Sequence, residues 1–189
     1  QTISPKRKTI HQKGRHIYPY LLRNMKIERP NQVWQTDISY IPMYKGFMYL
    51  AAIIDVKSRK ILNWSISNSM TAEWCVELLE DTIQKHGTPE IHNSDQGSQY
   101  TSDIYINTLK KNKIKISMDG KGRALDNIYI ERFWRSIKQE KIYINPPNGG
   151  LDLYEKVKEY ISFYNTKRRH TEIGKVPPNE IFYQKAIAC

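Results

Sequence analysis

Apolar and β-branched residues come in two dense runs, NQVWQTDISYIPM at 31–43 and GFMYLAAIIDV at 46–56, separated by Tyr44, Lys45 and Gly46. Runs of this kind predict strands, and the short interval ending in glycine predicts a hairpin. KILNWSIS at 60–67 follows across the polar turn DVKSRK, so the first part of the chain reads as a three-stranded meander. The period then changes. Cys75, Val76, Leu78, Leu79 and Ile83 mark one helical face, Thr71 can cap its start, and Gly87 with Pro89 beyond ends it, which predicts a helix over 71–86. A short strand at 90–93, a helix capped by Ser102 and reaching about Lys111, and a strand within KIKISM at 113–118 come next. A third helix, capped by Asp126 or Asn127, is expected to run to about Ile142.

NPPNGG at 145–150 breaks the pattern. Leu153, Val157, Tyr160, Ile161 and Tyr164 then share one face of a last long helix over 151–164, and the tail ends in a short helical piece. Strands in a meander followed by alternating helices and strands predict an α/β class, a five-stranded mixed sheet flanked by helices with a C-terminal helical extension. The chain divides accordingly into a basic N-terminal extension or linker (1–30), a core (31–144) and the helical extension (145–189). Its 189 residues suit one domain, which buries roughly 70% of its unfolded surface.

Charge adds a partner to this picture. The chain carries 30 Lys plus Arg against 19 Asp plus Glu, a net +11. Eight basic residues and the single Glu28 lie within residues 1–30, so about seven of those net charges sit in the first sixth of the chain. Such a tail suits a polyanion, because neutralising phosphates releases condensed counterions, and it equally suits simple solubility. Cys75 and Cys189 are far apart and match no ligand spacing, which reads as reduced thiols in a cytosolic setting. No apolar run approaches the roughly 18 residues of a membrane span.

Three acids are placed where they can do chemistry. Asp37 interrupts the middle of the first strand among Trp34, Ile38 and Tyr40, where an uncompensated buried charge is costly. Asp95 follows the fourth strand and leads into Gln96, Gly97 and Ser98; if the fourth strand runs beside the first, the two acids converge. Glu131 falls on the third helix beside a core face of Ile130, Phe133, Trp134 and Ile137, sharing the neighbouring stripe with Arg135 and Lys138. Converging carboxylates repel and raise one another's pKa, a conflict that divalent cations resolve. Hard oxygen ligands favour Mg²⁺ or Mn²⁺, and two such ions about 3.5 to 4 Å apart suit phosphodiester displacement. Taken singly, each acid has a plainer reading: Asp37 as a cap on a bend, Asp95 as the head of an Asx-turn, Glu131 as a solvated helix acid. Asp55 reads as a turn residue, and Trp34 and Trp134 as core.

VWQTDISYIP, NSDQGSQYTS and KGRALDNIYIERFWRSIKQE resemble the catalytic core of insertion-sequence transposases of the second-reading-frame type, which is similar to retroviral integrase. Thirty-five residues separate Asp95 from Glu131, the interval that names the aspartate, aspartate, 35, glutamate class. The resemblance runs from about Tyr18 to Tyr183. It implies a ribonuclease H-like fold, Asp37, Asp95 and Glu131 as catalytic and metal-binding triad, two Mg²⁺ ions with Mn²⁺ as substitute, and cleavage followed by joining of DNA strands. It also implies DNA partners (transposon ends and target), a homodimer or higher oligomer on DNA, no membrane, and a bacterial cytoplasmic, nucleoid-associated setting.

Further positions follow from the same resemblance. Asn127, Arg132, Arg135 and Lys138 would lie near bound DNA, with Asn127 alternatively a helix cap; Lys121 and Arg123 occupy the preceding loop, which could close on DNA. YNTKRRH at 164–170 is similar to the family's terminal YN...RPH block and brings Arg168 and Arg169, although Arg169 stands where proline is usual. Family members carry an N-terminal helix-turn-helix region, whereas a basic segment of about 30 residues precedes the core here, so the sequence reads as a fragment or incomplete frame product whose tail and third helix bind the DNA backbone. Two rival functions remain: a ribonuclease H-like nuclease that only hydrolyses, and a decayed or truncated DNA-binding module.

Overall fold

The structure, a computed structural model, describes residues 17–120 and 124–184. Residues 1–16 of the basic stretch, the loop residues Lys121 and Arg123, and Cys189 lie outside the described residues. β1 (Val33–Pro42) and β2 (Phe47–Asp55) form the expected antiparallel hairpin. Met43 N–H donates to the Gly46 carbonyl at 3.0 Å, and Gly46 sits at φ 79°, a left-handed conformation that costs glycine little. β3 (Ile61–Ser67) pairs antiparallel with β2. α1 (Ala72–His86) starts where Thr71 accepts a hydrogen bond from Trp74 N–H at 3.3 Å. β4 (Ile91–Ser94), α2 (Asp103–Lys111) and β5 (Lys115–Met118) follow, giving one five-stranded sheet in the order β3-β2-β1-β4-β5. β4 runs parallel to both β1 and β5.

β2 explains why its run is apolar without alternation. Leu50, Ala52 and Ile54 enter a cluster on one face, while Ala51 and Ile53 enter a second cluster on the other, so both faces of the strand are covered. The first face is roofed by α3 (Ile128–Ile137) and α4 (Gly150–Thr166), the second by α1 and α2. Cys75 belongs to the second cluster, and burial pushes its thiol up to about 12, which makes it an inert core residue. Among the described residues no helix is long and apolar enough to cross a membrane.

The capping expected for the third helix is corrected. A 3₁₀ turn (Ala124–Asn127) precedes α3, and Asn127 makes no capping bond. Asp126 instead accepts from Gly120 N–H at 2.9 Å, and Asn127 donates to the Thr36 carbonyl at 3.2 Å; tertiary partners outcompete the helix end. The expected length does appear, but as α-helix to Ile137 continued by a π turn (Lys138–Ile142). That wider turn returns Ile142 to the cluster that holds Ile137.

The last segment is fastened to the sheet by two polar devices. Asn165 accepts from Ile61 N–H at 3.0 Å and donates to the Ile61 carbonyl at 2.9 Å, satisfying both backbone groups at the start of β3. Lys60 is 5% exposed, donates to the Tyr183 hydroxyl at 2.6 Å, and stacks its ammonium on Phe182 and Tyr183 of α5 (Pro178–Tyr183). The chain turns at Arg169 without a proline: Lys167 and Arg168 N–H both donate to the Phe163 carbonyl, and His170 pairs with Val176.

Candidate active site at the ends of the parallel strands

Register fixes which side chains meet. Gln35 of β1 lies opposite Asn93 of β4, and Asn93 opposite Ser117 of β5. This buried row is bonded together: Ser117 Oγ donates to Asn93 Oδ1 at 2.7 Å, and Gln35 Nε2 donates to the Asp126 carbonyl at 3.0 Å. Strand side chains repeat every second residue, so Asp37 and Asp95, each two positions further on, fall level with each other on the same face. Neighbouring strands stand about 4.8 Å apart, which sets the scale of that approach. Asp37 also lies opposite Ala52, a member of the cluster that contains Ile130, Phe133 and Trp134, so the acids share the face roofed by α3.

Asp37 is partly buried, and its Oδ2 accepts from Trp134 Nε1 at 2.9 Å. Burial raises its pKa to about 6 against the pull of that bond, and the charges of Asp95 and Glu131 raise it further. Trp134 is therefore core, as expected, and also the donor that orients Asp37. Asp95 heads the Asx-turn, accepting from Gly97 N–H at 2.8 Å. Glu131 is exposed, one position off the buried stripe of α3. Asp37 thus feels the charges of both other acids, yet among the described residues no group of three His, Cys, Asp or Glu side chains is arranged to hold a metal ion. Asp37 and Asp95 are turned to protein donors instead.

A fourth acid escaped the sequence reading. Ser94 lies opposite Met118, so Asp119, one residue past β5, follows the pairing alongside Asp95. Its N–H donates to the Ser94 carbonyl, its own carbonyl accepts from Gln96 Nε2 at 2.8 Å, and its Oδ1 accepts from Asn93 Nδ2 at 2.8 Å. Asp119 thereby grips both neighbours of Asp95. Burial lifts its pKa to about 7, with Asp126, Asp95 and Asp37 adding to the rise against the Asn93 bond. Its place immediately after the fifth strand, like that of Asp95 after the fourth, was the signal available.

The expected DNA-contact residues divide. Asn127 is buried beneath the site, while Arg132 and Arg135 are exposed on α3. Lys138 is half-buried; burial lowers its pKa and the charge of Asp37 opposes that. Arg168 is held by Glu140 through bonds of 3.0 and 2.7 Å, and Arg132 is ion-paired with Glu172. Arg132, Arg135, Arg168 and Arg169 nevertheless line one cavity. Trp34 is fully buried, and Asp55 closes β2 with its carboxylate serving the turn that follows, accepting from Ser58 N–H and Oγ and from Asn31 N–H.

Two family profiles, both described as Integrase core domain, match residues 27–124 and 112–178. The chain is 36% identical over 180 residues to the transposase for insertion sequence element IS904 of Lactococcus lactis, covering 93% of this chain and 71% of that one. It is 33% identical to putative transposase InsK for IS150 and 35% identical to transposase InsF for IS3A, both of Escherichia coli, covering 85% and 84% of this chain but 57% and 56% of theirs. Among solved structures, a chain of the simian T-cell lymphotropic virus intasome superposes with a TM-score of 0.74 at 17% identity, covering 94% of this chain and 63% of that one. The HTLV-2 integrase catalytic core domain, in complex with magnesium, superposes with a TM-score of 0.66 at 20% identity, covering 82% of this chain and 98% of that one. These likenesses identify the mixed sheet and its flanking helices as the ribonuclease H-like fold of integrase catalytic cores. With one profile spanning more than half of its length and relatives that are insertion-sequence transposases, the chain belongs to the integrase core family of transposases that act in DNA transposition.

Proposed function

We propose that this chain is the catalytic core of a DDE-type transposase, a polynucleotidyl transferase that cuts DNA at the ends of a mobile element and joins the freed 3′-hydroxyls to target DNA. The observation that carries the reading is the parallel register of β1 and β4, which pairs Gln35 with Asn93 two residues before Asp37 and Asp95, on the face covered by the helix that bears Glu131. These three are assigned as the catalytic and metal-holding residues. Their chemistry fits a hard cation: the donors are carboxylate oxygens, and burial holds Asp37 at a pKa of about 6, with the charges of Asp95 and Glu131 adding to the rise. They would hold two Mg²⁺ ions, with Mn²⁺ as substitute. When bound, such ions supply an activated oxygen nucleophile and stabilise the leaving oxygen.

The protein's own groups do the rest. Trp134 holds Asp37 in one orientation, and Asn93, Gln96 and Asp119 brace the turn that carries Asp95. Arg132, Arg135, Lys138, Arg168 and Arg169, with Lys121 and Arg123 in the preceding loop, are assigned to the DNA backbone, and Asn127 to supporting β1 from below. The partners are element ends and target DNA, bridged by a homodimer or larger assembly; HTLV-2 integrase cores in dimeric and trimeric forms lend support. The catalytic core is assigned to residues 31–144, with residues 1–30 as a basic linker and 145–189 as a helical extension.

The test is strand transfer in Mg²⁺ with precleaved element ends and a target duplex, run on Asp37→Asn, Asp95→Asn and Glu131→Gln. Each change should abolish joined product while DNA binding persists. Joined product surviving all three would refute the site, and cleaved product without any joining, in the unchanged protein, would reassign it as a hydrolytic nuclease.

A further inference from the structure

One cavity outside the acidic site is lined by an unusual concentration of positive charge. It measures about 410 Å³ and lies where α3, the turn before β3 and the chain after α4 meet; Arg59, Arg132, Arg135, Arg168 and Arg169 line it with a single carboxylate, Glu172. That carboxylate is divided between two guanidinium groups. Its Oε1 pairs with Arg132, and its Oε2 lies 3.5 Å from Arg59. Arg59 is held in place by its own surroundings, stacked 3.6 Å over the Tyr129 ring and donating to the Val56 carbonyl. Arg135 and Arg169 have no ion pair among the described residues.

We propose that this cavity is a seat for a backbone phosphodiester of DNA and that Glu172 occupies it in the absence of DNA as a built-in substitute for that phosphate. The inference rests on the reading of the chain as a DNA-acting transposase and adds to it a self-competing contact. A carboxylate and a phosphodiester each present two oxygens with one shared negative charge, and guanidinium forks donate to either. The pair with Glu172 is half exposed, and exposed pairs contribute little, so a phosphate can displace it cheaply. His170 also lines the cavity, and its Nε2 is buried without a partner. Burial, followed by the charges of Arg168 and Arg59, holds that imidazole neutral down to about 4. The location suits the chemistry as well: Arg132 directly follows Glu131, so the cavity and the acidic site draw on the same turn of α3.

The test is fluorescence anisotropy of the whole chain with a labelled duplex, in chelator so that no strand is cut, across a series of salt concentrations. Glu172→Ala should tighten binding by about three- to tenfold and steepen the slope of log affinity against log salt by roughly one contact, about 0.9. Glu172→Gln should do the same, and Arg132→Ala should weaken binding and remove the gain from Glu172→Ala. Glu77→Ala, which removes an exposed acid from α1 on the opposite face of the sheet, should change affinity less than twofold. An equal gain from Glu77→Ala, or a Glu172→Ala gain that survives Arg132→Ala, would overturn the seat in favour of net charge alone. No change in either Glu172 variant would overturn it too. Binding that behaves as expected alongside absent strand transfer would refute the catalytic reading and leave the seat standing, whereas no DNA binding by any variant would refute both. Inorganic phosphate at millimolar concentration should compete with DNA in the unchanged protein; failure to compete in Glu172→Ala as well would argue against a phosphate seat.

Discussion

Asparagine at position 37 should make the protein inactive and more stable at the same time. The carboxyl of Asp37 rises from an ordinary 3.8 to about 6 because it is buried beside two other acids with a single side-chain donor, Trp134 Nε1. A raised folded pKa means the folded protein binds this proton more tightly than the unfolded chain does. The resulting stability is complete below pH 4 and is lost as pH climbs through 6. At about 1.4 kcal/mol for each unit of pKa, the cost of holding the charged form at pH 8 is roughly 3 kcal/mol, and at pH 5 about half of that. Asparagine keeps the shape and an oxygen for Trp134 but carries no charge, so it should recover most of this, raising the melting temperature by roughly 6–12 °C at pH 8. Thermal or urea unfolding in chelator at pH 5 and pH 8 measures the gap. Millimolar Mg²⁺ should narrow it by stabilising only the unchanged protein. A variant no more stable than the original at pH 8, or a gap that fails to shrink toward pH 5, would refute the view of Asp37 as a strained, cation-seeking carboxylate.

Two further expectations concern residues that carry no charge. An added Cβ at Gly97 would stand 2.9 Å from Asp95 Oδ1 and 3.1 Å from Gln99 Oε1, so Gly97→Ala should displace the Asp95 carboxylate and lower strand transfer at least tenfold, while the melting temperature changes by only a few degrees; unchanged transfer kinetics would show that this turn does not position Asp95. Asn165→Ala should leave the Ile61 N–H and carbonyl buried without partners and cost about 2–3 kcal/mol in urea unfolding, and a loss below about 0.5 kcal/mol would show that water replaces the amide.

The sequence made the elements legible where one physical cause dominated. The apolar runs of β1 and β2, the Thr71 cap and the Gly87 stop are local signals, and each element formed where they predicted. Strand order was not local. The approach of Asp37 to Asp95 was conditional on β4 lying beside β1, and only the pairing of Gln35 with Asn93 supplied that condition. Asp126 and Asn127 looked like caps because nothing in the sequence discloses Gly120 N–H and the Thr36 carbonyl as competitors. Asp119 was missed for a similar reason: its importance comes from lying alongside Asp95, a property of register and not of its neighbours in sequence. Arg132 and Arg168 read as DNA contacts from the resemblance, and the structure gives each an acidic companion from a distant segment, Glu172 and Glu140.

The sheet order has a meaning for the chain as it leaves the ribosome. The meander is complete by Ser67 and leaves one edge of β1 open; Asp37 then waits beside that edge for β4, and Glu131 arrives only when α3 has been made. On the chemistry proposed, an unfinished polypeptide owns no cutting centre at all. On that same chemistry, a half-translated copy would pose no hazard to host DNA, because the centre assembles only once α3 has joined the sheet.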